Sequence, residues 1–295
     1  MALATTIEKF GSLSDHELLR VKELMLTVWP KATFYTFEYL DWLYRLNPAG
    51  KAETFNVWKG NSIVGHYAAI PIVANLFGHE ERGLLSLNSV VHPDYQGRGY
   101  FKSLALSTYE KAKLRNAGFV IGVANAKSTL PCQRQLKFQK VSPLTVKLGF
   151  GHVKRKTEPS ASPCFHVKWE EASLDWRLKR PGANYRVTSN SSGTWLWGGT
   201  GTYGIYAEMG WFPTEARQLS SVLSQVDAMS TIKSNPVKLW IGLDQRCEWP
   251  GYWYCVLPER FKPSPLNFLF KDLTNFKRFL DPETAQISLL DFDAY

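Results

Sequence analysis

An apolar strand end, a turn and a helix start follow one another in Ser89-Val90-Val91-His92-Pro93-Asp94-Tyr95-Gln96-Gly97-Arg98-Gly99-Tyr100-Phe101-Lys102-Ser103-Leu104. Gly97 and Gly99 let the backbone turn tightly and bring successive N–H groups close to a ligand. A helix that begins near Gly99 adds its unpaired amides and the positive end of its dipole, while Arg98 and Lys102 add full charges. The segment therefore predicts a nest for an anion, and a pyrophosphate suits it.

The flanking sequence predicts a sheet around this turn. Alternating or apolar segments near 54–58, 63–74 and 84–91 indicate antiparallel strands. After the helix, which we expect to end near Asn116, the apolar run 119–124 is typical of a buried strand. Strand, loop, helix and strand in this order imply a crossover between neighbouring strands of one sheet.

Two helices are predicted before the sheet. Ser14 and Glu17 form a capping-box pattern, in which each side chain satisfies an unpaired backbone donor at a helix start. Apolar residues then recur at helical spacing. A second helix is expected from Thr36 to about Leu46, where Asn47-Pro48-Ala49-Gly50 stops it.

The turn resembles the pyrophosphate-binding motif of the GNAT superfamily of N-acyltransferases, Gln/Arg-x-x-Gly-x-Gly/Ala, through Gln96, Gly99 and the preceding Val-Val-His-Pro. Phe101 stands where the pattern has Gly or Ala. Downstream, Asn125-x-x-Ser128 followed by Leu136-Lys137-Phe138 is similar to the GNAT ending Asn-x-x-Ser and Leu-Gly-Phe, with Lys137 in place of the glycine. The resemblance covers about residues 14–140.

The resemblance implies an α/β (α+β) fold with a mixed, mostly antiparallel sheet and a central crossover helix. It also implies acyl-coenzyme A as co-substrate, either acetyl-CoA or a longer acyl-CoA. In the superfamily the strands on either side of the pyrophosphate loop splay apart and pantetheine inserts between them. The implied cofactor-binding residues are Val90 and Val91 through their backbones, Asn125 and Ser128 beside the pantetheine arm, and, in the loop, Gln96, Gly97, Arg98, Gly99, Tyr100, Phe101 and Lys102.

The catalytic residues are harder to assign. Many GNAT members place a glutamate on the strand before the loop, where this chain has Leu85-Ser86-Leu87-Asn88. Strand alternation puts Ser86, Asn88 and Val90 on one face, so Asn88 is a candidate for orienting substrate or water. His66 is the candidate base because imidazole titrates near neutral pH, and a structural histidine is the alternative. Nothing near Cys132 indicates an activated nucleophile, which favours direct transfer.

The second half of the chain predicts a separate unit. Lys, Arg, Pro and Ser are frequent in 153–163, which suggests a linker between a GNAT domain at 1–152 and a second α/β domain at 165–295. Several strands, a helix from Thr214 to about Met229 and further strands repeat the order of the first half. A degenerate GNAT repeat is therefore a hypothesis. Five side chains of this half fit either an acceptor site or a core: Trp195, Trp197, Tyr206, Glu208 and Trp211.

Composition narrows the partners. The 295 residues carry a formal net charge of +9, which favours an anionic partner, and the short basic clusters lack a nucleic-acid recognition motif. A loose resemblance of 42–50 and 63–71 to enzymes that acylate nucleotide-linked amino sugars points to a small, phosphate-bearing amine. No membrane segment, secretion signal or metal site is predicted, so we expect a cytoplasmic protein. The oligomeric state stays open.

Two other functions remain open at this point. A protein or peptide amine is an alternative acceptor, for which an open acidic groove is expected. A binding module that keeps the scaffold and senses acyl-CoA without catalysis is the second alternative, and the missing glutamate favours it.

Overall fold

The computed structural model describes residues 5–8, 11–150, 153–156, 162–202, 204–229, 237–249, 254–257 and 265–292. Its helices are α1 (Asp15–Val28), α2 (Phe37–Arg45), α3 (Tyr100–Lys113), α4 (Ala126–Leu136), α5 (Glu171–Leu178) and α6 (Ser220–Leu223). Within this part of the chain, each helix is too short or too polar to cross a lipid bilayer.

The first sheet surrounds the predicted turn. Its strands run in the order β1-β2-β3-β4-β5-β16-β6, with β9 paired to β3. β4 and β5 are parallel and α3 connects them, which confirms the predicted crossover. The strands are β1 (Thr5–Glu8), β2 (Glu53–Lys59), β3 (Ser62–Leu76), β4 (His79–Val91), β5 (Phe119–Ala124), β6 (Gln139–Pro143), β9 (Phe165–Val167) and β16 (Asn267–Asp272).

The second sheet repeats the strand order and directions of the first. Its order is β10-β11-β12-β13-β7-β15, with β17 paired to β13. Three antiparallel strands end in a parallel pair, β12 and β13, as β2, β3 and β4 end in the pair β4 and β5. The strands are β7 (Thr145–Gly149), β10 (Tyr185–Asn190), β11 (Gly193–Gly199), β12 (Ile205–Pro213), β13 (Val237–Leu243), β15 (Tyr254–Val256) and β17 (Ile287–Ser288).

Each sheet contains strands from both halves of the chain. β9, at the start of the second half, pairs with β3 of the first sheet. β16, from the C-terminal part of the chain, lies between β5 and β6 of the first sheet. β7, from the N-terminal part, lies between β13 and β15 of the second sheet. A division of the chain at residues 152 and 165 therefore does not separate the two sheets. The sequence does not indicate this, because the pairing of strands that are far apart in the chain leaves no local signal.

Other expectations are modified by the structure. Residues 157–161 of the expected linker lie outside the described residues, while β8 (Lys154–Arg155) pairs with β14 (Cys247–Glu248). The expected helix 214–229 is reduced to the short helix α6 and a preceding 3-10 turn, Arg217–Leu219. Ser14 caps α1 as predicted, but the Glu17 carboxylate accepts from the amide of Leu13 instead of completing a capping box.

The first sheet has a core on each face. α1 and α2 pack on one face, over a cluster that includes Ile63, Ala68 and Val90. α3 packs on the other face, where Leu104 and Tyr109 meet residues of β2 to β5. β4 therefore runs between two buried layers, and its end carries the predicted turn.

The strand exchange predicts that both sheets unfold together. Phe268 of β16 is fully buried, so Phe268→Ala should lower the free energy of unfolding by about 3–5 kcal/mol. Circular dichroism and intrinsic fluorescence, followed through urea unfolding, should both show one transition, shifted as a whole. Phe279→Ala, at a side chain that is 68% exposed, is the control and should leave the midpoint in place. Two separate transitions, with only one shifted, would contradict the exchange.

Candidate functional site

The parallel strands β4 and β5 separate at the predicted turn. They are paired from Gly83 with Phe119 to Ser86 with Gly122, and within the described residues their ladder ends there. β4 nevertheless continues to Val91, held by β3, and β5 continues to Ala124, held by β16. The two strand ends form a V whose inner edges face a cleft, and Ser86 and Gly122 mark its vertex.

The loop at the open end of the V exposes backbone amides. Gly97 and Gly99 have φ of +74° and +77°, the left-handed region that favours glycine. The Gln96 amide bonds Pro93, and the first bond of α3 runs from Ser103 to Gly99. The amides of residues 97 to 102 have no protein acceptor in the part of the chain that the structure describes. A Cβ placed on either glycine would meet no atom within 4 Å, so the loop borders open space.

Side chains around this loop take different roles. Arg98 and Lys102 are exposed, and the Arg98 guanidinium lies 4.9 Å from the Tyr95 ring centroid and donates to the Asp94 carbonyl. Gln96 instead donates its side-chain amide to the Val91 carbonyl at 3.1 Å. That bond occupies a backbone acceptor which the resemblance had reserved for pantetheine. The Phe101 ring packs edge-on against Tyr67, so it does not cover the amides.

The start of α4 forms the opposite wall. Asn125 is the N-cap of α4, and its side-chain oxygen accepts from the amides of Lys127 and Ser128. The Ser128 hydroxyl also bonds that oxygen at 3.0 Å. Both predicted residues line the cleft, but they primarily support each other and the helix. Burial raises the pKa of the neighbouring Cys132 thiol to about 11.

The cleft has a volume of about 750 Å³. It is lined by the inner edges of the V, the loop 95–101 and α4, and also by Trp29 and Tyr35 from the connection between α1 and α2. Every cofactor-binding residue of the prediction except Lys102 is among its lining residues. Thus the two motifs, which begin at Gln96 and Asn125, meet at one site.

No protein-family model matches the sequence, and no curated protein sequence is significantly similar to it. Solved structures do share its architecture. A probable N-acyltransferase from Enterococcus faecalis V583 has a TM-score of 0.59 and 12% identity, with 92% of this chain and 73% of that chain covered. Eis1 from Mycobacterium abscessus has a TM-score of 0.56 at 9% identity, with 92% and 74% covered.

A GCN5-related N-acetyltransferase from Anabaena variabilis gives a TM-score of 0.55 at 10% identity, covering 92% of this chain and 73% of that one. The chain has the GNAT fold. At these identities the similarity establishes the architecture, so the activity of this chain has to be argued from its own site.

His66 does not face the cleft of this GNAT fold. It is 1% exposed, under α1 and α2, and its ring bonds Asn56 at 2.6 Å and Tyr44 at 3.1 Å. Burial lowers the pKa of His66 to about 3, so the imidazole is neutral at physiological pH. The prediction of His66 as the general base is therefore corrected. It was based on the strand position of His66 and on the ordinary titration of imidazole near neutral pH, whereas the packing of α1 and α2 buries this ring.

Asn88 lines the cleft, but it lies on a different face of β4 from Ser86, whereas strand alternation predicted the same face for both. One extra residue of β4 bulges between the pairs Ala68 with Leu87 and His66 with Val90, and Asn88 has a φ of +49°. The bulge turns Asn88 toward Tyr44 and Tyr35, while Ser86 bonds Tyr67 on the α3 side. Simple alternation fails here because a bulge breaks the two-residue period.

The parallel strands of the second sheet also separate, but here another strand of the same chain lies between them. The pair β12 and β13 ends at Glu208 with Trp240, and β17 then pairs with the free end of β13. Leu290, just after β17, lies against Gly210 of β12. Trp195, Trp197 and Glu208 are buried in this sheet, which makes them core residues.

Sequence reasoning missed the aromatic and polar residues that support the cleft. Tyr35 and Trp29 come from a connection with no motif, and Tyr44 is one of several aromatic residues at helical spacing in α2. Glu17 was interpreted as a capping residue only. The one available signal was polar residues on strands otherwise predicted to be buried, namely Asn56 and His66.

The neutral His66 predicts a pH dependence of stability. An unfolded histidine titrates near pH 6.5, so between about pH 6.5 and 3 the unfolded chain takes up a proton that the folded chain does not. As the pH is lowered through this window, the free energy of unfolding should decrease by up to about 1.4 kcal/mol per pH unit because of this group. His66→Gln removes the contribution, so its destabilisation relative to wild type should shrink between pH 7 and 5.

Urea unfolding at several pH values measures this difference in free energy. His79→Gln, at an exposed position of the same sheet, controls for the loss of an imidazole. A His66→Gln destabilisation that stays the same from pH 7 to pH 5 would mean that His66 accepts a proton in the folded protein.

Proposed function

We propose that the chain is an acyl-CoA-dependent N-acyltransferase. The observation that carries this is the row of open amides at residues 97–102, placed at the mouth of the V between β4 and β5. Main-chain donors at a helix start bind a diphosphate without any particular side chain. The V beside them has an unpaired strand edge, which an extended amide-containing arm can complete as an added strand.

The dimensions of the V agree with this donor. From Val91 to Ser86 the strand advances about 17 Å at ~3.3 Å per residue. Pantetheine is an extended arm with two amides, and its sulfur would reach the vertex at Ser86 and Gly122 when the diphosphate lies on the loop. Arg98 and Lys102, both exposed beside the loop, add charge attraction to the phosphates.

The chemistry we propose is direct transfer. The acceptor amine attacks the thioester carbon, the carbon–nitrogen bond forms, and the carbon–sulfur bond breaks. The amine loses one proton and the leaving thiolate gains one. The raised pKa of Cys132 keeps its thiol protonated near pH 7, which disfavours a covalent acyl-enzyme on that sulfur. Ser86, bonded to Tyr67 at the vertex, is placed to donate a hydrogen bond to the leaving sulfur.

For the acceptor we propose a small amine that carries a ring and phosphate, with a nucleotide-linked amino sugar as the first class to test. Trp29 and Phe34 are exposed at the α1–α2 connection, where the Tyr35 ring stacks on Trp29 at 6.1 Å between centroids and lies tilted against Phe34 at 4.3 Å. Aromatic faces of this kind suit a nucleobase or sugar. The net charge of +9 favours phosphate-bearing molecules.

Turnover decides between this function and its alternatives. Acetyl-CoA and hydroxybutyryl-CoA are incubated with a panel of nucleotide amino sugars, free amino sugars and lysine-rich peptides, and thiol release is followed. We expect release with amino sugars. Release with peptides only would replace the acceptor class, and CoA binding without release from any amine would identify a binding module.

The donor site is tested by Gly99→Asp. The new carboxylate would lie among the amides of the loop, where two like charges about 4 Å apart repel by roughly 4 kcal/mol near a protein surface. CoA affinity, measured by calorimetry, should fall by at least about 100-fold. Gly182→Asp is the matched control, because Gly182 has the same φ of +77° and open space around its Cβ position. Equal CoA affinity of the two variants would contradict the proposal that the diphosphate binds at this loop.

A further inference from the structure

A continuous chain of hydrogen bonds crosses the core beneath the cleft. It starts at a buried carboxylate on α1, passes through β2, β3 and α2, and ends at two residues that line the cleft. Four of its six members, Glu17, Asn56, His66 and Tyr44, are 3% exposed or less. In order, the chain comprises Glu17, Asn56, His66, Tyr44, Asn88 and Tyr35, joined by bonds of 2.6, 2.6, 3.1, 2.9 and 3.1 Å.

The carboxylate fixes the direction of every bond. Glu17 can only accept, so the side-chain amide of Asn56 donates to it and the Asn56 oxygen must accept from Nδ1–H of His66. The neutral imidazole then has a lone pair on Nε2, which accepts the Tyr44 hydroxyl. Each group has one way to satisfy both neighbours.

The same logic continues to the cleft. Since the Tyr44 hydrogen is used on His66, its oxygen accepts from the side-chain amide of Asn88. The Asn88 oxygen therefore points to Tyr35 and accepts its hydroxyl hydrogen. A carbonyl oxygen has two lone pairs, so this oxygen can also accept an N–H from a molecule in the cleft.

We propose that Glu17, Asn56, His66 and Tyr44 are positioning residues, which hold the Asn88 carboxamide oxygen toward the acceptor amine. The proposal rests on the proposed N-acyltransferase function and deepens its acceptor side. It assigns a role to His66 that needs no proton transfer. It also accounts for a buried carboxylate that the donor site does not use.

Glu17→Gln tests the direction of the chain. Ser12 and Leu13 donate to one Glu17 oxygen and Asn56 to the other, so a glutamine would keep its oxygen on the first pair and turn its amide toward Asn56. Asn56 would then flip, His66 would carry its hydrogen on Nε2, and the Asn88 amide would face Tyr35. The variant thus reverses the whole chain with almost no change of volume.

Two measurements on the full chain report the result. Nitrogen-15 NMR of the imidazoles, with His66 assigned by comparison with His66→Gln, should show the Nδ1–H tautomer in the wild type and Nε2–H in Glu17→Gln. Steady-state kinetics should show kcat/KM for the acceptor reduced roughly 10- to 100-fold, as expected for one misdirected buried hydrogen bond. The affinity for CoA should stay within about twofold.

Glu53→Gln is the matched control. Glu53 is another buried carboxylate on the first sheet, 2% exposed, but it is paired with Lys111 and Arg115. Among the described residues it makes no hydrogen bond to the series from Glu17 to Tyr35. It should lose stability while the His66 tautomer and the acceptor kcat/KM stay as in the wild type.

The possible failures are distinguishable. An Nε2–H tautomer in the wild type, or no change of tautomer in Glu17→Gln, would overturn the fixed direction. Equal acceptor kinetics in Glu17→Gln and Glu53→Gln would overturn the positioning role. If the wild type released no thiol with any amine, the proposed function would fail, and the tautomers would still decide the direction of the chain.

Discussion

β4 and β5 are hydrogen-bonded to each other only as far as Ser86 and Gly122. Beyond this point β4 stays paired with β3 and β5 stays paired with β16, so the facing edges of β4 and β5 remain apart. Unpaired edges inside a fold are costly unless something completes them. The bulge at Asn88 allows β4 to stay paired with β3 while it turns away from β5. An open V with free amides at its mouth is thus a consequence of sheet geometry, and the site is built on it.

In the second sheet, the corresponding strand edge is paired by another strand of the protein. The V between β12 and β13 is entered by β17, which pairs with β13 beyond the point where β12 stops. The same architecture thus leaves an open cleft in the first half, whereas in the second half β17 of the same chain fills the corresponding space. The exchange of β7 and β16 connects the two halves. β16 pairs with the outer edge of β5 and β7 pairs with the outer edge of β13, so one side of each V is held by a strand from the other half.

The local parts of this structure and the crossover from β4 through α3 to β5 could be predicted from the sequence, whereas the pairing of more distant strands could not. Gly97 and Gly99 allow the positive φ of a tight turn, so the loop and the start of α3 could be predicted from the residues. β16 pairs with β5 across more than a hundred residues, and nothing in its short apolar sequence names that partner. The exposure of His66 likewise depends on the docking of α1 and α2.

The two walls of the cleft are built from different materials. The wall at the loop consists of main-chain amides and strand edges, and glycine at positions 97 and 99 gives this loop its backbone conformation. The wall at Asn88 depends on side chains from several elements, each of which is hydrogen-bonded to the next. A fully satisfied buried network is rigid, and a single unsatisfied member is costly. A substitution in the network at Asn88 should therefore disturb several side chains at once, whereas a substitution at the loop that keeps Gly97 and Gly99 leaves its main-chain amides in place.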